Sequence, residues 1–235
     1  MTIGVGFLCP DGIVLCSDRL HSGQGYKFQQ SKIFSIQRQD YSFIFSFAGD
    51  PDSARMMFEK TRDAMRMVTV QRDESVKDVV KQTLEKVFSH KQANGLQTLI
   101  GVKTKEDYFL IKTIEKKVVE GSTEYIGCGD SSVLRYICDL LLESQLTTAE
   151  AVVIGTYIVS VAGRYVEQCG EDSNHATLYA AGGLTRGSGG PWPNHKTRFL
   201  CSEQETGKTL RMLLLNGGTG KVSITQEAPA GTGAA

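Results

Sequence analysis

The stretch TIGVGFLCPDGIVLCSD, residues 2–18, decides the fold. Ile3, Val5 and Phe7 alternate with Thr2, Gly4 and Gly6. This period of two predicts a strand over residues 2–9 with one face buried. Pro10-Asp11-Gly12 follows. Proline presets φ for a turn and glycine accepts positive φ, so the chain reverses there. Residues 13–18 then predict the return strand of a hairpin. A turn centred on Asp11 sets Asp18 opposite Gly4 or Val5. In one register the carboxylate falls on the Thr2/Gly4/Gly6 face. Either way, Asp18 is carried back toward Thr2.

Working outward, SKIFSI (31–36) and YSFIFSF (41–47) read as strands. Gly49 ends the second run, and Asp50-Pro51 has the chemistry of an N-cap followed by the first helical position. Apolar spacing predicts helices over 52–67 and 75–91 and strands over 96–104 and 108–114. Residues 123–129 form another strand, whose end is left open to close approach by Gly127 and Gly129. Helices over 131–144 and 147–168 follow, then strands over 175–183, 197–203 and 210–216. The segments between Asp18 and Lys32 and over 187–195 read as loops. Helices therefore come in pairs between groups of strands, unlike the alternation of a doubly wound α/β sheet. Two antiparallel sheets stacked face to face, with a helix pair outside each, use this order. No repeat or linker interrupts it. The expectation is one α+β domain over residues 1–226 and a Pro/Gly-rich disordered tail over 227–235.

Composition narrows the function classes. The 235 residues carry 26 basic and 26 acidic side chains, so no charge footprint for nucleic acid or an anionic membrane is present. No apolar run approaches the roughly 18 residues of a membrane span. The first residues lack the basic and apolar regions of a signal peptide. Cys9, Cys16, Cys128, Cys138, Cys169 and Cys201 are scattered with no CxxC pair. That argues against zinc or a disulfide framework and for a reducing, cytoplasmic setting. His21, His90, His175 and His195 have no ligand spacing, so surface or satisfied roles are expected, with no metal and no cofactor.

Thr2 directly behind Met1 carries the chemistry. If Met1 is removed, Thr2 bears both a hydroxyl and a free α-amine. That amine has an ordinary pKa of about 7.7–8.0, against about 10.4 for lysine, and so can accept the hydroxyl proton near neutrality. Pairing a threonine hydroxyl with its own amine is a known way to activate a weak nucleophile. A lysine ammonium nearby favours the alkoxide, an aspartate holds that lysine, and a glycine N–H at a helix start stabilises an oxyanion. Thr2, Asp18, Lys32 and Gly49 supply these parts.

The set resembles the proteasome β-subunit family, including the bacterial HslV type. The matching segments, in the family's order, are residues 2–18, 31–36, FSFAGDPDSARMMFE (45–59) and YIGCGDSSVLRYICDLL (125–141). The resemblance implies a four-layer αββα sandwich of the N-terminal-nucleophile hydrolase type and a homo-oligomeric ring enclosing the sites. It implies Thr2 as nucleophile, Asp18 as the buried aspartate, Lys32 as the activating lysine and Gly49 as the oxyanion-hole glycine. Cys128 falls where the family usually has a serine, and Asp130 where it has a hydroxyl or small residue; both are expected to support the site. Whether Asp172 and Ser173 stand in for the family's late Asp-x-x-Ser element stays open. Phe47 falls at a position lining the primary specificity pocket, which implies a short pocket and small apolar side chains on the acyl side. The expected activity is that of a threonine peptidase acting on peptide or unfolded protein, with an ATPase unfoldase as partner. Two other readings are an amidase for a small amide and a non-catalytic ring or scaffold subunit. Retained Met1 is the mark of the scaffold, and the Cys128/Asp130 pair favours it.

Overall fold

The computed structural model describes residues 2–23, 26–68, 75–127, 145–166, 169–190 and Leu215. β1 (Ile3–Cys9) and β2 (Gly12–Asp18) form the N-terminal hairpin. Its register differs from the expected one. Cys9 pairs with Gly12 and Gly4 with Ser17, so Asp18 comes beside Ile3 instead of Gly4 or Val5. The turn is the two residues Pro10-Asp11, centred between them and not on Asp11. By alternation Asp18 therefore shares the face of Val14 and Cys16, not that of Gly4 and Gly6.

The hairpin lies in the middle of a five-stranded antiparallel sheet. β10 (Thr123–Gly127) pairs with β1, and β11 (Ser173–Tyr179) pairs with β2, with β12 (Leu184–Gly189) at the edge. A second antiparallel sheet runs β5 (Ile33–Gln37), β6 (Tyr41–Ala48), β7 (Gln97–Thr104), β8 (Tyr108–Ile114) and β9 (Lys117–Gly121). β3 (Leu20–Gly23) and β4 (Tyr26–Gln29) form a separate two-stranded ribbon. The sheets meet through Ile13, Leu15, Ile44, Leu99, Leu110 and Leu178. The outer face of β1 and β2, through Val5, Phe7, Val14 and Cys16, packs on α3 (Thr148–Tyr165). Both faces of β1 are thus buried, against an expectation of one, because a helix covers the side away from the second sheet.

The helices follow from local signals. α1 (Pro51–Arg66) starts at the predicted cap: the Asp50 carboxylate accepts from Ser53 N at 2.8 Å, with Pro51 next. Its buried residues Ala54, Met57, Thr61 and Met65 recur at helical spacing, and Ala54, Met57 and Met65 pack with α2 (Val76–Phe88) against Phe43, Phe45 and Ile100. α2 stops before the predicted end and gives way to a short 3-10 turn at Lys91–Ala93. α3 starts with a reciprocal capping box between Thr147 and Glu150. The Asp11 carboxylate adds a second cap, accepting from Thr148 N at 2.8 Å and Thr148 Oγ1 at 2.7 Å.

Three segments read as loop or left unassigned are strands: the β3–β4 ribbon, β9 and β12. β12 takes in residues 187–189 of the predicted loop. The helix expected over 131–144, the strand over 197–203 and the tail over 227–235 lie outside the described residues. Of 210–216, only Leu215 is described; it is helical, not extended, and packs against the α3 layer. A run of Leu and Met without β-branched residues favours that outcome. Among the described residues no helix is long and apolar enough to cross a membrane.

Candidate active site

Asp18 closes β2, and Lys32 lies just before β5 in the other sheet. The lysine crosses the gap. Its Nζ donates to Asp18 Oδ1 at 3.0 Å and to Oδ2 at 2.9 Å. The side chains are 2% and 0% exposed. Charges this deep must be paired and hydrogen-bonded. Asp18 meets that demand with backbone donors as well. Oδ1 accepts from Ile3 N at 2.8 Å, and Oδ2 accepts from Leu20 N at 3.1 Å and Gly170 N at 3.2 Å. Ile3 is the residue after Thr2, so the carboxylate fixes the backbone on which Thr2 sits. It reaches that N–H around the strand end, which is why the register difference does not separate Asp18 from Thr2. Thr2 itself is buried.

Gly49 occupies the corner between β6 and α1 with φ of 130°. A Cβ there would lie 2.8 Å from the Gly95 carbonyl oxygen, so the corner admits only glycine. Its peptide stands at the positive end of a 16-residue helix. Gly49 is linked to Thr2 through four residues. Ala48 pairs with Gln97, Gln97 Oε1 accepts from Gly127 N at 3.3 Å, and Gly127 pairs with Ile3. Thr2 and Gly49 therefore lie at the same end of the stacked sheets.

Phe47 is buried on β6, and the strand register brings it level with Lys32, one pair beyond Ile33 and Ser46. It stacks on Phe34 at 5.6 Å between ring centroids and meets His21 at 6.3 Å. His21 in turn stacks flat on Phe28 at 4.9 Å. Phe28 is half-exposed, so this aromatic row runs from the surface to the buried ion pair. His21 makes a backbone hydrogen bond with Gln30, and neither it nor His175 is a fully exposed surface residue. His21 is buried, and His175 partly so; among the described residues His21 Nε2 and His175 Nδ1 have no partner. Burial, then the Lys32 charge, hold the His21 pKa below the ordinary histidine value, and burial alone does so for His175.

Cys9 and Cys16 are disfavoured as competing nucleophiles. Burial, reinforced by Asp11 and Glu150, pushes the Cys9 thiol up to about 12, and burial raises Cys16 as well. Both thiols stay protonated. Cys128 and Asp130 lie outside the described residues. Ser173 pairs with Asp18 across β11 and β2, but among the described residues its buried Oγ has no partner; it is Gly170 that reaches the carboxylate. Gly170 and Gln97 were not singled out from the sequence. They lie 152 and 30 residues from the groups they bond, and no local pattern marks them. Among the described residues no cluster of His, Cys, Asp and Glu could hold a metal ion.

The chain is similar to solved structures across nearly its whole length. An Anbu (Gly-1) mutant from Hyphomicrobium sp. strain MC1 superposes with a TM-score of 0.68 at 13% identity, covering 98% of this chain and 100% of that one. The helical assembly of the Anbu complex from Pseudomonas aeruginosa gives 0.62 at 13% identity, covering 92% and 93%. Anbu (ancestral beta-subunit) from Yersinia bercovieri gives 0.62 at 12% identity, covering 92% and 94%. No curated protein matches the chain. The family described as Proteasome subunit matches residues 2–173, well over half of the sequence. With the fold and the Asp18–Lys32 geometry alongside that match, the chain belongs to the proteasome subunit family.

Proposed function

We propose that the chain is a threonine-type N-terminal-nucleophile peptidase, built as a single four-layer αββα domain and active once Thr2 carries a free amine. The observation that carries this reading is the buried Lys32–Asp18 pair, whose carboxylate also holds the Ile3 amide beside Thr2. A buried ion pair adds little net stability, so its position next to the hydroxyl-bearing Thr2 favours a chemical role.

Thr2 Oγ attacks the carbonyl carbon of a peptide bond, and the Thr2 α-amine takes the hydroxyl proton. The Lys32 charge favours the developing alkoxide. Gly49 N–H donates to the oxyanion of the tetrahedral intermediate. The C–N bond then breaks, the leaving amine takes the proton from the α-ammonium, and an ester to Thr2 remains. Water attacks that ester with the same amine as base, releasing the acid and restoring Thr2. By the resemblance, Cys128 and Asp130 are assigned a supporting role, and the aromatic row ending at Phe47 selects a small apolar side chain on the acyl side.

The Pseudomonas aeruginosa neighbour is a helical assembly of the Anbu complex. An assembly of copies of this chain, ring or helical, fits the same reading. An enclosed site admits only extended peptide, so an ATPase unfoldase is the partner this activity calls for, in the cytoplasm.

The test is the intact mass of the purified protein before and after incubation with a peptide epoxyketone. That probe forms its stable ring only with a hydroxyl and an adjacent free amine. Loss of Met1 and one adduct per chain, absent in Thr2→Ala, support the proposal. Met1 lost without an adduct, or an adduct that persists in Thr2→Ala, overturns it. Met1 retained in protein purified from its own host indicates a scaffold subunit.

A further inference from the structure

Gln97 stands where the two halves of the candidate site meet. It opens β7 and pairs with Ala48, the residue before Gly49. Its side chain leaves that sheet, and Oε1 accepts from Gly127 N in the other. Gly127, with φ of 150°, lies so close to Thr2 that a Cβ on it would collide with the Thr2 carbonyl oxygen. On the opposite flank, Gly49 rests on the Gly95 carbonyl and on Leu96. The start of β7 is itself pinned: Leu96 N donates to Ala93 O at 3.1 Å, and Leu96 O accepts from Glu115 N at 2.9 Å. Residues 95–97 thus form a fixed block touching the Gly49 corner directly and the Thr2 strand through one amide.

The two sheets meet mainly through aliphatic side chains. Such contacts are non-directional; they set the spacing between sheets better than the lateral offset. Nucleophilic attack needs reacting atoms about 3–3.5 Å apart, with an oxyanion donor about 2.7–3.1 Å from its target. Those tolerances depend on the offset between β1, which carries Thr2, and β6, which leads to Gly49. Lys32–Asp18 ties the sheets on one side of Thr2, and Gln97–Gly127 ties them on the other.

We propose that Gln97 is a positioning residue, whose amide oxygen fixes the offset between the Thr2 strand and the Gly49 corner by holding Gly127 N–H. The proposal rests on the peptidase reading for its catalytic consequence but not for the clamp itself.

The test uses three variants of the full chain. Gln97→Met removes the acceptor at nearly equal size. Gln97→Asn withdraws it by one methylene. Gln97→Glu keeps it. The first readout is hydrogen exchange at Gly127 N–H, which needs no activity. Exchange is expected to quicken by about tenfold or more in Gln97→Met and Gln97→Asn and to stay near wild type in Gln97→Glu. The second is peptide turnover and the rate of epoxyketone capture. Gln97→Met and Gln97→Asn are expected to lose about tenfold to a hundredfold in kcat with KM within about twofold, and Gln97→Glu to recover most of it. Unchanged exchange in the two acceptor-deficient variants overturns the clamp. Quickened exchange with unchanged kcat, or an equal fall in kcat in all three variants, overturns the positioning role. A wild-type protein with no turnover and no adduct overturns the peptidase reading instead, and the exchange result then decides the clamp alone.

Discussion

Lys32→Met is the substitution that most directly probes the frame of the site. It keeps the aliphatic stem and removes the ammonium. Asp18 then loses the donors at 3.0 and 2.9 Å but keeps the N–H groups of Ile3, Leu20 and Gly170. Breaking a buried pair costs about 3–5 kcal/mol when the survivor is left uncompensated. Hydrogen bonds to a charged group contribute roughly 1.5–3 kcal/mol each, so the three that remain hold the loss to the lower end, about 3 kcal/mol. For a chain of this length each kcal/mol shifts Tm by about 2–4 °C, so the midpoint should fall by about 6–12 °C. Asp18→Asn should fall further. It leaves the ammonium buried against a neutral amide and turns an NH2 group toward N–H donors that need an acceptor. Differential scanning calorimetry at neutral pH measures both, with no need for activity. A Lys32→Met midpoint within about 2 °C of wild type, or an Asp18→Asn protein more stable than Lys32→Met, would refute the reasoning.

The two lowered histidines predict an acid-side loss of stability. The folded state favours neutral His21 and His175, so the unfolded chain takes up protons first, and stability falls as pH drops below about 6.5. Midpoints measured from pH 7.5 down to 5 should fall less steeply in a His21→Asn/His175→Gln double variant; an equal slope contradicts the assignment. Glu115 holds φ of 53° in the turn between β8 and β9, a region costly for a residue with a Cβ. Glu115→Gly should gain about 1 kcal/mol in urea unfolding, and a loss of stability would show that the turn carries no strain. Asp11→Ala removes the two bonds to Thr148 and should cost about 1–2 kcal/mol by the same measurement. An unchanged midpoint would mean that the Thr147–Glu150 box suffices to start α3.

What could be read from the sequence was what local chemistry specifies. Residues 2–18 carry alternation and a turn signal in one short stretch, and Asp50-Pro51 marks a helix start with no help from elsewhere. The Asp18–Lys32 pair followed from family spacing, not from either residue alone. The strands that escaped notice lie at sheet edges or in the ribbon. LHSG, KVVEG and LTRGSG are short, polar or glycine-rich, and only their partners make them strands. The hairpin register slipped because the turn uses two residues, and one residue more or less in a turn shifts every pair. The groups that complete the Asp18 shell and bridge the sheets escaped for a different reason. Gly170 and Gln97 act across the fold, and a contact spanning 152 residues leaves no periodicity to find.

β1 and β2 sit mid-sheet, between partners drawn from much later in the chain: residues 123–127 on one side and 173–179 on the other. During synthesis the hairpin emerges well before either of these partner strands. Asp18 and Lys32 can find each other early, yet the donor from Gly170 reaches the carboxylate only after a further 152 residues have been made. Non-local strand pairing of this kind is slow. On the peptidase reading, a half-made chain therefore carries Thr2 without the scaffold that would arm it, and completion of the fold would be the step that releases the chemistry.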